Sequence, residues 1–180
     1  MVQPLFARPR FREEVIEVIR NDKNLREPLR RQAIELAAHS PENISGLNQE
    51  CNIVLETAGS TPQQHQRALK EAELICLERP QASWNWTLLA MAQYRTGQYS
   101  EALATFSAHS QLDSTELVVQ ARELAFTAMA QHRLGHRDEA HQALERLRKI
   151  MKQSFINGRT LAESLLREAE AVTAGSPATK

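Results

Sequence analysis

The chain has 180 residues, of which 42% are hydrophobic, and its 22 basic side chains balance 22 acidic ones. A formal net charge of zero excludes the strong global field that draws a protein to nucleic acid or to an anionic membrane. No apolar run is as long as a membrane span, so we predict neither nucleic acid nor membrane as a partner. A composition rich in Ala, Leu, Glu, Gln and Arg, with only six glycines and seven prolines, favours an all-helical fold.

The cysteines and the N-terminal segment indicate the compartment. Cys51 and Cys76 both fall within predicted helices, where they are expected to be buried thiols in a reducing compartment. A disulfide between neighbouring helices is the less favoured alternative. The segment MVQPLFARPRF lacks a continuous apolar stretch and a small-residue cleavage site, so it is not predicted to be a signal peptide. We therefore predict a cytoplasmic protein, whose oligomeric state the sequence leaves open.

Apolar residues at helical spacing, together with capping and turn residues, predict nine helices. They cover about 10–20, 28–39, 41–56, 62–78, 82–95, 99–111, 114–134, 137–152 and 159–172. Ser40 or Asn43 is the expected N-cap of the third helix. Thr61 and Gln64 form a predicted capping box for the fourth, with Pro62 at its first helical position. Residues 1–9 are expected to form an irregular tether and residues 174–180 a disordered tail.

Large and small side chains alternate along residues 84–106 at the spacing of two closely packed helices. The pattern returns along residues 124–144, where Gly135 takes the place of Gly97. Ala68 and Ala102 are 34 residues apart (102 − 68), whereas Ala102 and Ala140 are 38 apart (140 − 102). The four extra residues are expected to lengthen the seventh helix by about one turn. We predict stacked antiparallel helical hairpins that form a short α-solenoid, in which Ala102 and Ala140 are buried.

These residues resemble the tetratricopeptide repeat, whose 34-residue period carries the pattern W-x₂-L-G-x₂-Y…A-x₃-F…P. The first clear copy matches at Trp86, Leu89, Ala90, Gly97, Tyr99, Ala102, Phe106 and Leu112. The second copy matches at Leu124, Ala128, Gly135, Ala140, Leu144 and Leu147. The chain departs from the pattern at Gln93 and Gln131 (tyrosine position), at Ser114 and Lys152 (closing proline) and at His109, where a small residue is usual.

The resemblance implies a single domain over residues 10–173. It would contain clear repeats at 82–113 and 121–152, a degenerate repeat at 44–80, a weak helix pair at 10–39 and a capping helix at 159–172. More narrowly, REPLRRQAIELA, RALKEAELIC, AQYRTGQYSEALATF and AMAQHRLGHRDEA are similar to C-terminal helical segments of large bacterial proteins. Those proteins carry a serine/threonine kinase or a WD-repeat module, and this sequence has no motif of either kind.

In stacked hairpins of this kind, the first helix of each pair lines a concave groove. By resemblance, a partner-binding groove is lined here by Trp84, Thr87, Leu88, Met91, Tyr94, Arg95, Arg122, Phe126, Met129, His132 and Arg133. This groove is apolar at its middle and basic at one edge. Leu88 and Phe126 stand where some family members have the asparagines of a carboxylate clamp, so no such clamp is expected.

The first functional hypothesis is a protein–protein interaction module or scaffold that binds a helix or a peptide in this groove. Trp84, Tyr94, Phe126 and Met129 would anchor the partner, and the arginines would take its acidic groups. The alternative is a structural or regulatory segment of a larger signalling protein, with no ligand of its own. Its groove would be covered by its own N-terminal helices or by its ninth helix. An exposed Trp84 would favour the first hypothesis, and a protected one the second.

An enzyme is not predicted, because the sequence has no glycine-rich phosphate loop, no G-x-S-x-G elbow and no H-E-x-x-H motif. His132, His136 and His141 lie close together, but Gly135 interrupts the helix between the first two. We therefore predict neither a metal site nor a cofactor. A basic cluster near the end of the eighth helix is expected to complement the helix dipole rather than to bind nucleic acid. It comprises Arg146, Arg148, Lys149 and Lys152.

Overall fold

The computed structural model describes residues 11–57, 59–110, 117–153 and 159–175. Within these ranges the chain is all-α, with nine helices and no strand. They are α1 (Arg12–Asn21), α2 (Glu27–His39), α3 (Ile44–Glu56), α4 (Pro62–Glu78), α5 (Ser83–Arg95), α6 (Tyr99–His109), α7 (Leu117–Arg133), α8 (Arg137–Gln153) and α9 (Arg159–Ala174). The predicted all-helical fold is confirmed. The predictions for residues 1–9, Leu112, Ser114 and 176–180 fall outside the described residues.

Local capping chemistry fixes where α3 and α4 begin. The Thr61 hydroxyl accepts a hydrogen bond from the backbone N–H of Gln64 at 3.2 Å, and the Gln64 side chain accepts one from the Thr61 N–H at 2.8 Å. This is the predicted capping box, and Pro62 is the first residue of α4. Asn43 rather than Ser40 caps the start of α3, because its side-chain oxygen accepts a hydrogen bond from the Gly46 N–H at 3.0 Å. Ser40 instead ends α2.

Two glycines end α5 and α7 with the same backbone geometry. Gly97 and Gly135 both have φ of 85°, which places them in the left-handed region. Gly97 N–H donates to Tyr94 O at 3.0 Å, and Gly135 N–H donates to His132 O at 3.0 Å. The next residue in each case bonds back to a glutamine carbonyl five positions earlier. These paired bonds form the glycine-ended helix cap, so the predicted equivalence of the two glycines is confirmed.

Neighbouring helices pack in chain order from α4 to α8, as expected for stacked hairpins. α4 packs on α5, α5 on α6, α6 on α7 and α7 on α8, while α5 also contacts α7. α9 packs against both α7 and α8. Ala102 and Ala140 are fully buried at 0% and 1% exposure. α7 has 17 residues and α5 has 13, so the second hairpin begins with a helix four residues longer (17 − 13), as predicted.

His109 occupies its unusual position in α6 because it stacks on a tryptophan of α5. The rings of Trp86 and His109 lie 3.8 Å apart and are almost parallel, at 5°. The indole N–H of Trp86 donates to the Pro80 carbonyl at 2.8 Å. Trp86 therefore links α5 to α6, the first hairpin of the two clear repeats. It also holds Pro80 in the segment that precedes α5.

The chain forms two compact units, Met1–Glu50 and Cys51–Lys180. The first unit separates because α1 and α2 bury an apolar cluster of their own. That cluster contains Val15, Ile19, Ala33 and Ala37. Leu29 and Leu36 of α2 lie to the side of this stripe and are exposed. The site described below lies entirely within the second unit.

Candidate functional site

The residues predicted to line a partner groove are mostly withdrawn from solvent. Seven of the eleven are buried: Thr87, Leu88, Met91, Tyr94, Phe126, Met129 and His132. Trp84 is 37% exposed, and Arg133 is exposed as well. Arg95 and Arg122 are partly buried. Of the four predicted anchors, only Trp84 therefore presents its side chain to solvent.

Arg95 is the centre of a junction between four helices. Its guanidinium donates to the Leu55 carbonyl at the end of α3 through Nε at 3.1 Å and Nη2 at 2.9 Å. It also forms a two-point ion pair with Glu168 of α9, with Nη2 2.9 Å from Oε2. Its carbon Cζ lies 5.0 Å from the centre of the Phe126 ring in α7. Only 8% of the Arg95 side chain is exposed, so this charge is satisfied by the protein itself.

Aromatic side chains pack together at the same end of the predicted groove. Tyr94 and Phe126 meet edge to face, with ring centres 5.3 Å apart at 87°. Tyr94 also lies 5.5 Å from Tyr99 of α6. Burial raises the pKa of the Tyr94 phenol, and a hydrogen bond with Arg133 opposes that rise. Tyr94 is thus a neutral packing residue between α5, α6 and α7.

A second, partly buried arginine also pairs with an acid of its own chain. Arg122, near the start of α7, pairs with Glu56 at the end of α3, with Nη2 2.5 Å from Oε1. Their side chains are 20% and 18% exposed. Sequence reasoning predicts that Arg95, Arg122 and Arg133 take acidic groups of a partner. For Arg95 and Arg122, the acids in place are Glu168 and Glu56 of the same chain.

Two titratable groups near this region have shifted pKa values. Burial raises the pKa of Glu123, and a hydrogen bond from the Thr87 hydroxyl at 3.2 Å opposes the rise. Burial lowers the pKa of His65 in α4, the positive charge of Arg95 lowers it further, and Glu168 opposes both effects. Neither group was singled out by sequence reasoning, since each shift arises from helices distant in sequence.

A separate cleft of about 690 Å³ lies over α7, between α6 and α8. Its walls and floor include Leu103, Phe106, Glu123, Leu124, Ala143 and Arg146. None of the eleven predicted groove residues is among the described residues that line it. The described lining also contains no histidine and no cysteine. Two carboxyl side chains, Glu123 and Glu139, are among the described residues that line it, and burial raises the pKa of Glu123.

His132, His136 and the two cysteines are buried or contact groups of the chain itself. Nδ1 of His136 lies 2.7 Å from the Gln131 side-chain oxygen, and His132 is buried. Across the described part of the chain, no cluster of three His, Cys, Asp or Glu side chains could hold a metal ion. Both cysteines are buried thiols, as predicted, and burial raises the pKa of Cys76 to about 12. Its Sγ donates to the Asn85 carbonyl at 3.3 Å.

Comparison of the chain with protein-family models, with curated proteins and with solved structures found no match. Among the described helices, none combines the length and the apolar character needed to cross a membrane.

Proposed function

We propose that the chain is a helical-repeat segment of the tetratricopeptide type whose binding face is filled by its own last helix. In this proposal it serves as a structural or regulatory segment of a larger signalling protein, and it holds no external ligand in its resting state. One observation carries the proposal. The buried guanidinium of Arg95, on the predicted groove face, is paired with Glu168 of α9 and bonded to the Leu55 carbonyl.

Burial of the predicted anchors supports the same conclusion. Tyr94, Phe126 and Met129 are 7%, 0% and 0% exposed. A side chain that is already packed inside the chain gains little apolar burial by contacting a partner. The open-groove hypothesis requires these three anchors to be accessible, whereas a self-filled face requires them to be packed.

A second candidate function is favoured by Trp84. Its side chain is 37% exposed at the start of α5, the opposite end of that helix from Arg95. An exposed tryptophan is a residue type enriched among binding hot spots. A protein partner could dock on this end alone, and Trp84→Ala would then abolish its capture without changing the stability of the chain.

Hydrogen exchange tests the proposed self-filling directly. The backbone amides of α9 from Leu161 to Val172 should exchange far more slowly than those of an unpacked helix, because α9 would be docked in nearly all molecules. Rapid exchange throughout α9 alongside full protection in α7 would contradict the proposal. Such a result would mean that α9 leaves the face open most of the time.

A pair of substitutions distinguishes the two hypotheses by stability. In a self-filled face, Tyr94→Ala with Phe126→Ala removes core packing and should lower the free energy of unfolding by about 3 kcal/mol or more. In an open groove, the same double variant would leave helicity and stability unchanged and lose only partner capture. Trp84→Ala is the matched control, because that indole is exposed and its removal should change stability little.

A further inference from the structure

The inward face of α9 carries a small set of buried residues beside two acids. Ala162, Leu165 and Ala169 are 1%, 1% and 0% exposed and fall on one side of the helix. Glu168 and Glu170 stand on either side of Ala169 in the sequence. At 100° per residue they project from opposite flanks of the buried stripe.

Arginines from two other helices receive these acids. Glu168 pairs with Arg95 of α5. On the other flank, Glu170 Oε1 accepts from Arg148 of α8, at 3.0 Å from Nε and 2.7 Å from Nη2. The surface that receives α9 therefore selects two properties of a helix: a narrow stripe of small and apolar residues, and an acid on each side of it.

We infer that this receiving surface is a docking site for acidic amphipathic helices, which α9 occupies in the resting chain and an external helix of the same pattern can occupy instead. The pattern read from α9 is Ala-x-x-Leu-x-x-Glu-Ala-Glu, from Ala162 to Glu170. This inference rests on the proposed function, because it requires α9 to fill the face. It adds the chemistry of the partner that replaces α9.

Because α9 belongs to the same chain, it has a strong advantage over any external helix. A helix on the same chain competes at an effective concentration that can reach the millimolar range. An external helix gains access only to the fraction of molecules whose site is vacant, and its apparent affinity falls by that fraction. Weakening the internal helix should therefore strengthen external binding by the same factor.

The test uses the full chain and a synthetic peptide of residues 159–174, with binding measured by isothermal titration calorimetry. Glu168→Ala with Glu170→Ala in the chain weakens its own α9 but keeps Arg95 and Arg148. The wild-type peptide should bind this variant at least tenfold more tightly than it binds the wild-type chain. Arg167→Ala in the chain is the control, because Arg167 is exposed on α9 and should leave peptide binding as in the wild type.

The peptide also has a matched control. A peptide with Glu168→Gln and Glu170→Gln keeps the shape and the apolar stripe but loses both charges. Its affinity for the Glu168→Ala, Glu170→Ala chain (the loosened chain) should be at least tenfold lower than that of the wild-type peptide. Binding of the acidic peptide should weaken with added salt. Equal binding of the two peptides, or no binding of the acidic peptide to the loosened chain, would overturn the inference.

If the double variant does not fold, Glu168→Gln alone is used, since it keeps the side-chain shape and removes only the charge that pairs with Arg95. The expected order of affinities is then the same, and an affinity equal to that of the wild-type chain overturns the inference. If α9 is strongly protected from hydrogen exchange but no external peptide binds, the replacement of α9 by an external helix is refuted and the proposed function is not. An unprotected α9 would refute the proposed function itself.

Discussion

Arg95 in α5 and Glu168 in α9 are 73 positions apart in the sequence and face each other through two N–H···O contacts, with Nη2 2.9 Å from Oε2. Their side chains are only 8% and 20% exposed. A buried charge that loses its partner retains its desolvation cost without compensation. The pair therefore makes the docking of α9 a condition for stable burial of Arg95.

We expect Glu168→Ala to lower the free energy of unfolding by about 3 kcal/mol, the cost typical of removing one member of a buried ion pair. Urea denaturation followed by circular dichroism would measure the loss. Arg95→Met with Glu168→Leu should recover much of it, because no unpaired charge then remains buried. Glu170→Ala is the matched control. Its pair with Arg148 is 40% and 38% exposed, and the loss should stay below about 1 kcal/mol. Equal losses in the two single variants would contradict this account.

Ala102 and Ala140 should tolerate no larger side chain. Both are buried where helices meet, so Ala102→Leu or Ala140→Leu should overpack the contact and cost about 1–3 kcal/mol of stability. Ala104→Leu, at an exposed position of the same helix α6, should change stability by no more than about 0.5 kcal/mol. Thermal unfolding of the three variants would check the expectation. If Ala102→Leu left the stability unchanged, α6 could not be packed closely against its neighbouring helices.

Gly97 and Gly135 should each resist replacement for a backbone reason alone. A Cβ atom at either position would meet nothing within 4 Å, but φ of 85° is strained for any residue with a side chain. Gly97→Ala and Gly135→Ala should each cost about 1–2 kcal/mol. Gly59→Ala is the control, since that glycine also has open space and does not have a positive φ. Similar denaturation midpoints for all three variants would refute the backbone explanation.

Glu123 should make the chain less stable as pH rises. Burial raises the pKa of its carboxyl in the folded state, so the folded chain holds this proton more tightly than the unfolded chain does. This group's contribution is most favourable below its ordinary pKa of 4.5 and is lost as pH rises through the raised value. Glu123→Gln keeps an oxygen for Thr87 and carries no charge. It should match the wild type at low pH and exceed its melting temperature at pH 7, whereas equal melting temperatures at both pH values would count against the shift.

Cys76 should be inert toward thiol reagents in the native state. With its pKa raised to about 12 by burial, almost no reactive thiolate exists at pH 8. Ellman's reagent should label Cys76 only through the unfolded state, and urea should accelerate labelling in proportion to the unfolded fraction. Fast labelling of the native chain, located at Cys76 by peptide mapping, would contradict the burial.

Local features of the fold could be predicted from the sequence because their causes are local. The Thr61–Gln64 capping box and the glycine-ended caps each depend on residues within five positions of one another. Sequence reasoning assigned Arg95 to the acidic groups of a partner, whereas the acid that pairs with it in the structure is Glu168 of the same chain. It could not identify the acid, because no pattern in α5 indicates which side chain 73 positions away will meet it.

Burial was the least predictable property. Leu29, Ala33, Leu36 and Ala37 all recur at helical spacing in α2, yet the two leucines are exposed and the two alanines are buried. Periodicity gives the direction of a side chain around its helix but does not show which neighbouring helix covers that direction. For the same reason, the sequence could predict that Tyr94 and Phe126 lie on one face but not that this face is covered.

The flat contact between Trp86 and His109 gives the first hairpin a built-in optical reporter. The chain has two tryptophans. Trp84 is 37% exposed, whereas the indole of Trp86 stacks on the imidazole of His109 in the opposing helix. Separation of α5 from α6 must change the surroundings of the Trp86 ring and hence its emission. The intrinsic fluorescence of a Trp84→Phe chain would therefore follow the opening of that one hairpin without any attached label.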